Sequence, residues 1–217
     1  MKKSLFAAAA LVTALGAQAA PVVVTIDDFS IAQGPVTDTS ADAAPVVDTL
    51  AGVRTIAVNA LSTSLAPITN QVSVTGGILD ISNGVGDIAE VIVSWELAAG
   101  LVPAGATQVK FSALVLESDP NPTSISFALG GTTLLTAAIP GSTFNEMIGF
   151  DIDPALITAG GLLTMRLVGA SGWDLGMDTF GISYEQAGPV SVPEPTSLAL
   201  VGLALDGAGF ASSRRKV

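Results

Sequence analysis

The 217-residue chain contains neither cysteine nor histidine. Without cysteine there are no disulfides, thiolate metal sites or cysteine nucleophiles, and without histidine there are no Ser-His or Cys-His triads and no histidine-ligated zinc. Charged residues make up only 12% of the chain, whereas 49% of it is hydrophobic. A chain of this length and composition is too apolar for disorder and long enough to bury one sizeable core. We therefore expect one folded domain, and much common enzyme chemistry is excluded.

Basic residues are scarce between the two ends of the chain. Residues 21–190 contain three of them, Arg54, Lys110 and Arg166, against seventeen acidic residues, which gives this body a formal net charge of −14. Three scattered cations cannot form the basic surface that phosphate binding needs, so we expect no nucleic-acid partner. Strong acidity is typical of proteins that stay soluble outside the cell or that bind divalent cations.

Residues 1–20 have the pattern of a secretory signal peptide. Lysines at positions 2 and 3 precede an apolar stretch over residues 5–16, which is too short to span a bilayer comfortably. Residues 17–19, Ala-Gln-Ala, provide the small side chains that signal peptidase requires. We predict that signal peptidase removes this segment, and a retained N-terminal anchor helix is the alternative.

Three features follow one another over residues 191–217. They are a Val-Pro-Glu-Pro motif (Val192, Pro193, Glu194 and Pro195), an apolar stretch over about residues 198–211, and a basic cluster (Arg214, Arg215 and Lys216). The prolines favour an extended segment that a processing enzyme can grip, while the predicted apolar helix holds that segment at the membrane and the basic residues stay cytoplasmic. Because Asp206 interrupts the apolar stretch, membrane retention is expected to be weak and temporary.

This arrangement resembles the PEP-CTERM sorting signal of Gram-negative bacteria. The resemblance implies that an exosortase, a membrane protease-transpeptidase, recognises the motif and removes the helix, and that the protein accompanies exopolysaccharide production. It also implies export, transient anchoring in the inner membrane, and delivery to the cell surface or the extracellular space. An ordinary membrane anchor with a proline-rich hinge is the alternative.

The body of the chain, residues 21–190, alternates between apolar and polar residues as strands do. In residues 89–97 the alternation places Trp95 on an apolar face, and similar runs elsewhere are separated by Gly, Pro, Asn and Asp. About eleven strands can be counted, which predicts an all-β, jelly-roll-like sandwich of two antiparallel sheets. Residues 30–52 are expected to form a long irregular excursion. A short helix over residues 154–159, capped by Asp153, is also predicted.

Acidic residues near the first and last predicted strands form a candidate calcium site. Its members are Asp27, Asp28, Asp174 and Asp178. Strand alternation places Asp28 with Ile26 and Asp178 with Phe180, so both are expected to point inward. Oxygen ligands suit calcium better than a transition metal. The body also resembles jelly-roll carbohydrate-binding modules, in which such acids share a structural calcium. The alternative is that Asp28 or Asp178 pairs with Arg54 or caps a turn.

Paired carboxylates are the remaining route to catalysis, through glycoside hydrolysis. The available pairs are Glu90 with Glu96, Glu117 with Asp119, and Asp151 with Asp153. Sugar binding commonly uses exposed aromatic rings; Trp95 is predicted to be core, and Trp173 is the candidate ligand contact, with burial as its alternative. We predict a secreted, non-enzymatic surface or matrix protein associated with exopolysaccharide. A secreted carbohydrate-active enzyme is the alternative.

Overall fold

A computed structural model of the chain describes residues 20–38, 46–49, 52–62 and 70–186, with the backbone alone for residues 46–49. The chain divides into two compact units. One, Pro21–Ala187, contains all the elements described here, and the other comprises Met1–Ala20 and Gly188–Val217. The predicted signal helix, apolar C-terminal helix and sorting motif therefore lie outside the described residues.

The described part of the chain contains thirteen β-strands and one 3-10 helix, Pro154–Leu156. The strands are β1 (Val22–Asp27), β2 (Gln33–Thr37), β3 (Val46–Thr49), β4 (Gly52–Ser62), β5 (Gln71–Thr75), β6 (Ile78–Ser82), β7 (Ile88–Leu97), β8 (Ala106–Ser118), β9 (Thr123–Leu129), β10 (Thr132–Ile139), β11 (Phe144–Asp151), β12 (Gly161–Val168) and β13 (Leu175–Gln186). Sheet A has the order β11-β8-β13-β6-β5-β2, with β1 also paired to β13, and sheet B has the order β10-β9-β12-β7-β4-β3. All pairings are antiparallel, so the predicted two-sheet sandwich is confirmed.

An aromatic cluster joins the two sheets at the centre of the core. Trp95 on β7 is fully buried, as predicted, and its ring centroid lies 5.0 Å from that of Phe180 on β13. Phe127 on β9 stacks on Phe180 at 5.6 Å and contacts Phe111 on β8 at 4.7 Å. These rings come from both sheets, and their burial contributes to holding the sheets together.

Two local predictions have different outcomes. Residues 30–52 are not wholly irregular, because β2 pairs with β5 and β3 pairs with β4. Both pairings contain register shifts, and a shift disrupts the regular alternation by which a strand is recognised in sequence. The helix predicted over residues 154–159 is present as the shorter 3-10 helix. Asp153 caps it as expected, its Oδ1 accepting a hydrogen bond from the backbone N–H of Ala155 at 2.9 Å.

Candidate functional site

Two β-bulges decide where the predicted metal ligands point. On β1, Thr25 and Asp27 pair with consecutive residues of β13, so Ile26 is inserted without a partner. On β13, a register shift leaves Asp178 without a partner on β8. An inserted residue changes the alternation of side chains along the rest of the strand. Asp28 is exposed, so the prediction that it points into the core is wrong, and Asp178 is half-buried at the irregular position on β13.

Asp27 takes the inward position instead. Its side chain is 1% exposed, and both carboxylate oxygens accept from Nη1 of Arg54 at 2.9 Å. The carboxylate also accepts from Nε1 of Trp95 at 2.7 Å and from the backbone N–H of Phe29 at 2.8 Å. The sequence offered pairing with Arg54 as the alternative for Asp28 or Asp178, and the structure gives that pairing to the neighbouring aspartate.

Arg54 is satisfied by acceptors from the segment that follows β1. The side chain is fully buried on β4, its Nε donates to Oε1 of Gln33 at 2.8 Å, and its Nη2 donates to the backbone carbonyl of Ile31. The guanidinium carbon also lies 5.6 Å from the ring centroid of Phe29. This network therefore ties β1 and β2 of sheet A to β4 of sheet B. The sequence showed nothing of the part that Gln33 plays in it.

The structure does not bring three or more of the four predicted aspartates together in one place. Asp27 is enclosed by the network with Arg54. Asp28 is exposed, and hydrogen bonds from the hydroxyl and then the backbone N–H of Ser30 hold the pKa of its carboxyl below the usual value. Among all described residues, no group of three or more acidic side chains lies close enough together to hold a metal ion.

Trp173 is buried rather than available to a ligand. It is 1% exposed, and its Nε1 donates to the carbonyl of Ala89 at 3.2 Å. Its ring occupies the space beside Gly169, where a Cβ would come within 2.1 Å of Cγ of the tryptophan. Nδ2 of Asn83 also donates to the carbonyl of Trp173, at 2.7 Å. The glycine leaves room for the indole to turn inward, so the proposed contact role of Trp173 is wrong.

An acidic cavity of about 170 Å³ lies at the same end of the sandwich. It is lined by Glu117, Ser118, Asp119 and Asp174. The carbonyl of Asp174 accepts from the backbone N–H of Asp119 at 3.2 Å, which joins two of the lining loops. Nearby, burial and the charge of Asp174 raise the pKa of Asp80. Glu117 and Asp119 are thus a predicted carboxylate pair that the fold brings to one cavity.

The other two carboxylate pairs are either far apart or engaged by neighbouring groups. Glu90 and Glu96 lie six residues apart on β7. That is about 20 Å along a strand, whereas glycosidase carboxyl groups lie about 5–10 Å apart. Asp151 contacts Nζ of Lys110 at 3.2 Å, and Asp153 caps the 3-10 helix.

Residues 191–216 match the PEP-CTERM protein-sorting motif, which confirms the resemblance drawn from the Pro-Glu-Pro triplet and the basic cluster. The motif indicates an exported protein that is sorted toward the cell surface. Comparison with curated protein sequences finds no match. Within the described ranges, no helix has the length and hydrophobicity to cross a bilayer.

The solved structures similar to this chain include carbohydrate-binding modules. TmCBM61, solved with β-1,4-galactotriose, is 13% identical with a TM-score of 0.35, over 61% of this chain and 88% of that one. The family 11 module from Clostridium thermocellum, solved with a β-1,3-1,4-mixed-linked tetrasaccharide, is 11% identical with a TM-score of 0.32, over 76% and 96%. The solution structure of CtCBM11 is 10% identical with a TM-score of 0.36, over 81% and 99%.

Proposed function

We propose that the protein is a secreted, non-enzymatic component of the cell surface or extracellular matrix, processed by an exosortase and associated with exopolysaccharide. The observation that carries this proposal is the sorting motif at residues 191–216. Signal peptidase removes the leader at residues 1–20, and the apolar tail anchors the protein in the inner membrane only until the exosortase cuts it. The mature product is then the β-sandwich.

The chemistry of the acidic residues supports a non-enzymatic role. Glu90, Asp151 and Asp153 are engaged by neighbouring groups, in an ion pair with Arg166, an ion pair with Lys110 and a helix cap. Asp27 is enclosed by donors in the core. Each of these carboxylates has a structural partner.

Fractionation of the producing cells with intact-mass measurement tests the proposal. We expect the leader through residue 19 or 20 to be missing, the segment after Pro195 to be removed, and the product to co-fractionate with exopolysaccharide. Replacing Pro193 and Pro195 by alanine should block the second cleavage. Pro189→Ala, just outside the motif, is the matched control and should be processed normally. A full-length protein in the cytoplasm would contradict the proposal.

The acidic cavity favours one alternative, a secreted carbohydrate-active enzyme that uses paired carboxylates. Glu117 and Asp119 line the same cavity as Asp174, which places three acids around one space. Incubation of the purified protein with polysaccharides, followed by a reducing-sugar assay, separates the two functions. We expect no release of sugar. Sugar release by the wild type would establish the enzyme instead if Glu117→Gln abolished that release and the exposed-site control Asp28→Asn did not.

A further inference from the structure

The outer face of sheet B, which points away from the core, has a charged pair near its centre. Nε of Arg166 on β12 contacts Oε1 of Glu90 on β7. Nδ2 of Asn59 on β4 donates to the other oxygen of Glu90 at 3.0 Å. The Glu90 side chain is 9% exposed and that of Arg166 is 54% exposed. The carboxylate therefore lies low in the face and positions a guanidinium that is open to solvent.

Small hydroxyl-bearing side chains surround this pair. Arg166 lies directly between Ser126 on β9 and Ile92 on β7, and Thr136 on β10 follows Ser126 in the same cross-strand row. In the next row Thr164 lies opposite Ser94, with 3.3 Å between their hydroxyl oxygens. These rows cross the strands from β10 to β4, a width of about 19 Å at the usual strand spacing. The face thus carries hydroxyl-bearing side chains together with the apolar Ile92 and Leu162, and Arg166 is open to solvent among them.

The guanidinium keeps most of its hydrogen-bonding capacity. Nε contacts Glu90, and the Arg166 side chain as a whole is 54% exposed to solvent, so its terminal amino groups can be reached by a ligand. These groups form a rigid planar fork that matches two adjacent oxygen atoms, such as those of a carboxylate, a phosphate or a pair of neighbouring sugar hydroxyls. The geometry alone allows either an anionic or a neutral ligand.

Charge decides between these ligands. Glu90 neutralises Arg166, so the pair has no net charge, and residues 21–190, which include the pair, contain three basic residues against seventeen acidic ones. A polyanion approaching such a body is repelled, whereas a neutral, hydroxyl-rich chain is not. Ser and Thr hydroxyls, which both donate and accept, also suit sugar hydroxyls.

We propose that the outer face of sheet B binds a neutral polysaccharide that lies across the strands. The terminal amino groups of Arg166 donate to two neighbouring hydroxyls of one sugar unit, and the hydroxyls of Ser126, Thr136 and Thr164 contact adjacent units. Glu90 acts as a positioning residue for the guanidinium. This inference rests on the proposed association with exopolysaccharide and names the ligand class and the binding face.

Native electrophoresis of the full chain in gels containing polysaccharide tests the assignment. Dextran, β-glucan and galactan serve as neutral probes, alginate as the acidic probe, and the exopolysaccharide of the producing cells as the native one. We expect at least one neutral probe to retard the wild type. Arg166→Met should weaken that binding about tenfold or more, the effect of losing hydrogen bonds to a charged donor. Arg166→Lys should weaken it similarly, because lysine keeps the charge but lacks the planar fork.

Lys110→Met is the matched control. It also removes a half-exposed cation paired to a carboxylate, but on sheet A, and it should leave binding unchanged. The urea unfolding midpoint of each of the three variants, Arg166→Met, Arg166→Lys and Lys110→Met, is measured as well. A midpoint close to the wild-type value shows that the variant is folded. Equal binding by wild type and both Arg166 variants would overturn this site and leave the proposed function standing. Binding of alginate alone would overturn the ligand class. Failure to bind any probe, including the native exopolysaccharide, would overturn the proposed function and this inference together.

Discussion

Replacing Arg54 by methionine should destabilise the sandwich, because it leaves the buried Asp27 carboxylate without its cation. The arginine is fully buried and donates to Asp27 at 2.9 Å, to Gln33 at 2.8 Å and to the carbonyl of Ile31. Methionine is a long, flexible apolar side chain that fills part of the same space. The change in the free energy of unfolding therefore reports mainly the loss of charge pairing and hydrogen bonds.

The size of the effect follows from the burial of both partners. Removing one partner of a buried ion pair costs about 3–5 kcal/mol, because an uncompensated charge stays in the core. Trp95 and Phe29 still donate to Asp27 in the variant, so we expect a loss of about 3–4 kcal/mol. In a domain of this size each 1 kcal/mol lowers Tm by about 2–4 °C, so the expected decrease is about 6–16 °C.

Urea unfolding at neutral pH, followed by tryptophan fluorescence, measures this loss. Lys110→Met is the control, since the side chains of Lys110 and Asp151 are 47% and 82% exposed, and it should cost less than about 1 kcal/mol. The double variant Asp27→Leu, Arg54→Met should be less destabilised than the sum of the two single variants, because neither charge remains unpaired. An Arg54→Met protein within about 1 kcal/mol of wild type would refute the reasoning.

Two further predictions concern stability. Burial and the charge of Asp174 raise the pKa of Asp80 above its ordinary value of 3.8, so the ionised carboxylate opposes folding at neutral pH and Asp80→Asn should be stabilising. That gain should disappear once the pH falls below 3.8, where Asp80 is protonated in both states, and a gain that persists in acid urea titrations would contradict it. Gly141→Ala should cost about 1–3 kcal/mol or more, because overpacking displaces neighbouring atoms. The new Cβ would lie 1.9 Å from the carbonyl oxygen of Pro120. Gly149→Ala is the control, because its Cβ would approach no atom closer than 4.0 Å. Identical melting curves for the two variants would rule out this explanation.

Several features of the protein can be predicted without knowing the fold, because they depend only on residues close together in the sequence. The two-residue period of residues 89–97 reflects the strand pleat, and it places Trp95 in the core whatever the neighbouring strands are. Asp153 caps the turn that follows it by accepting a hydrogen bond from the backbone N–H of Ala155, only two residues further along the chain. The sorting motif at residues 191–216 is a linear signal, so its recognition needs no tertiary structure.

The partner of Arg54, in contrast, depends on the pairing of distant strands. The bulge at Ile26 exists only because β1 is aligned against β13, and this one-residue insertion turns Asp27 into the core and Asp28 to the solvent. Trp173 is buried for a similar reason, since the space beside Gly169 and the bond from Asn83 come from residues outside its own turn. Side-chain direction changes with every shift of register, and register is set by contacts between segments far apart in the sequence.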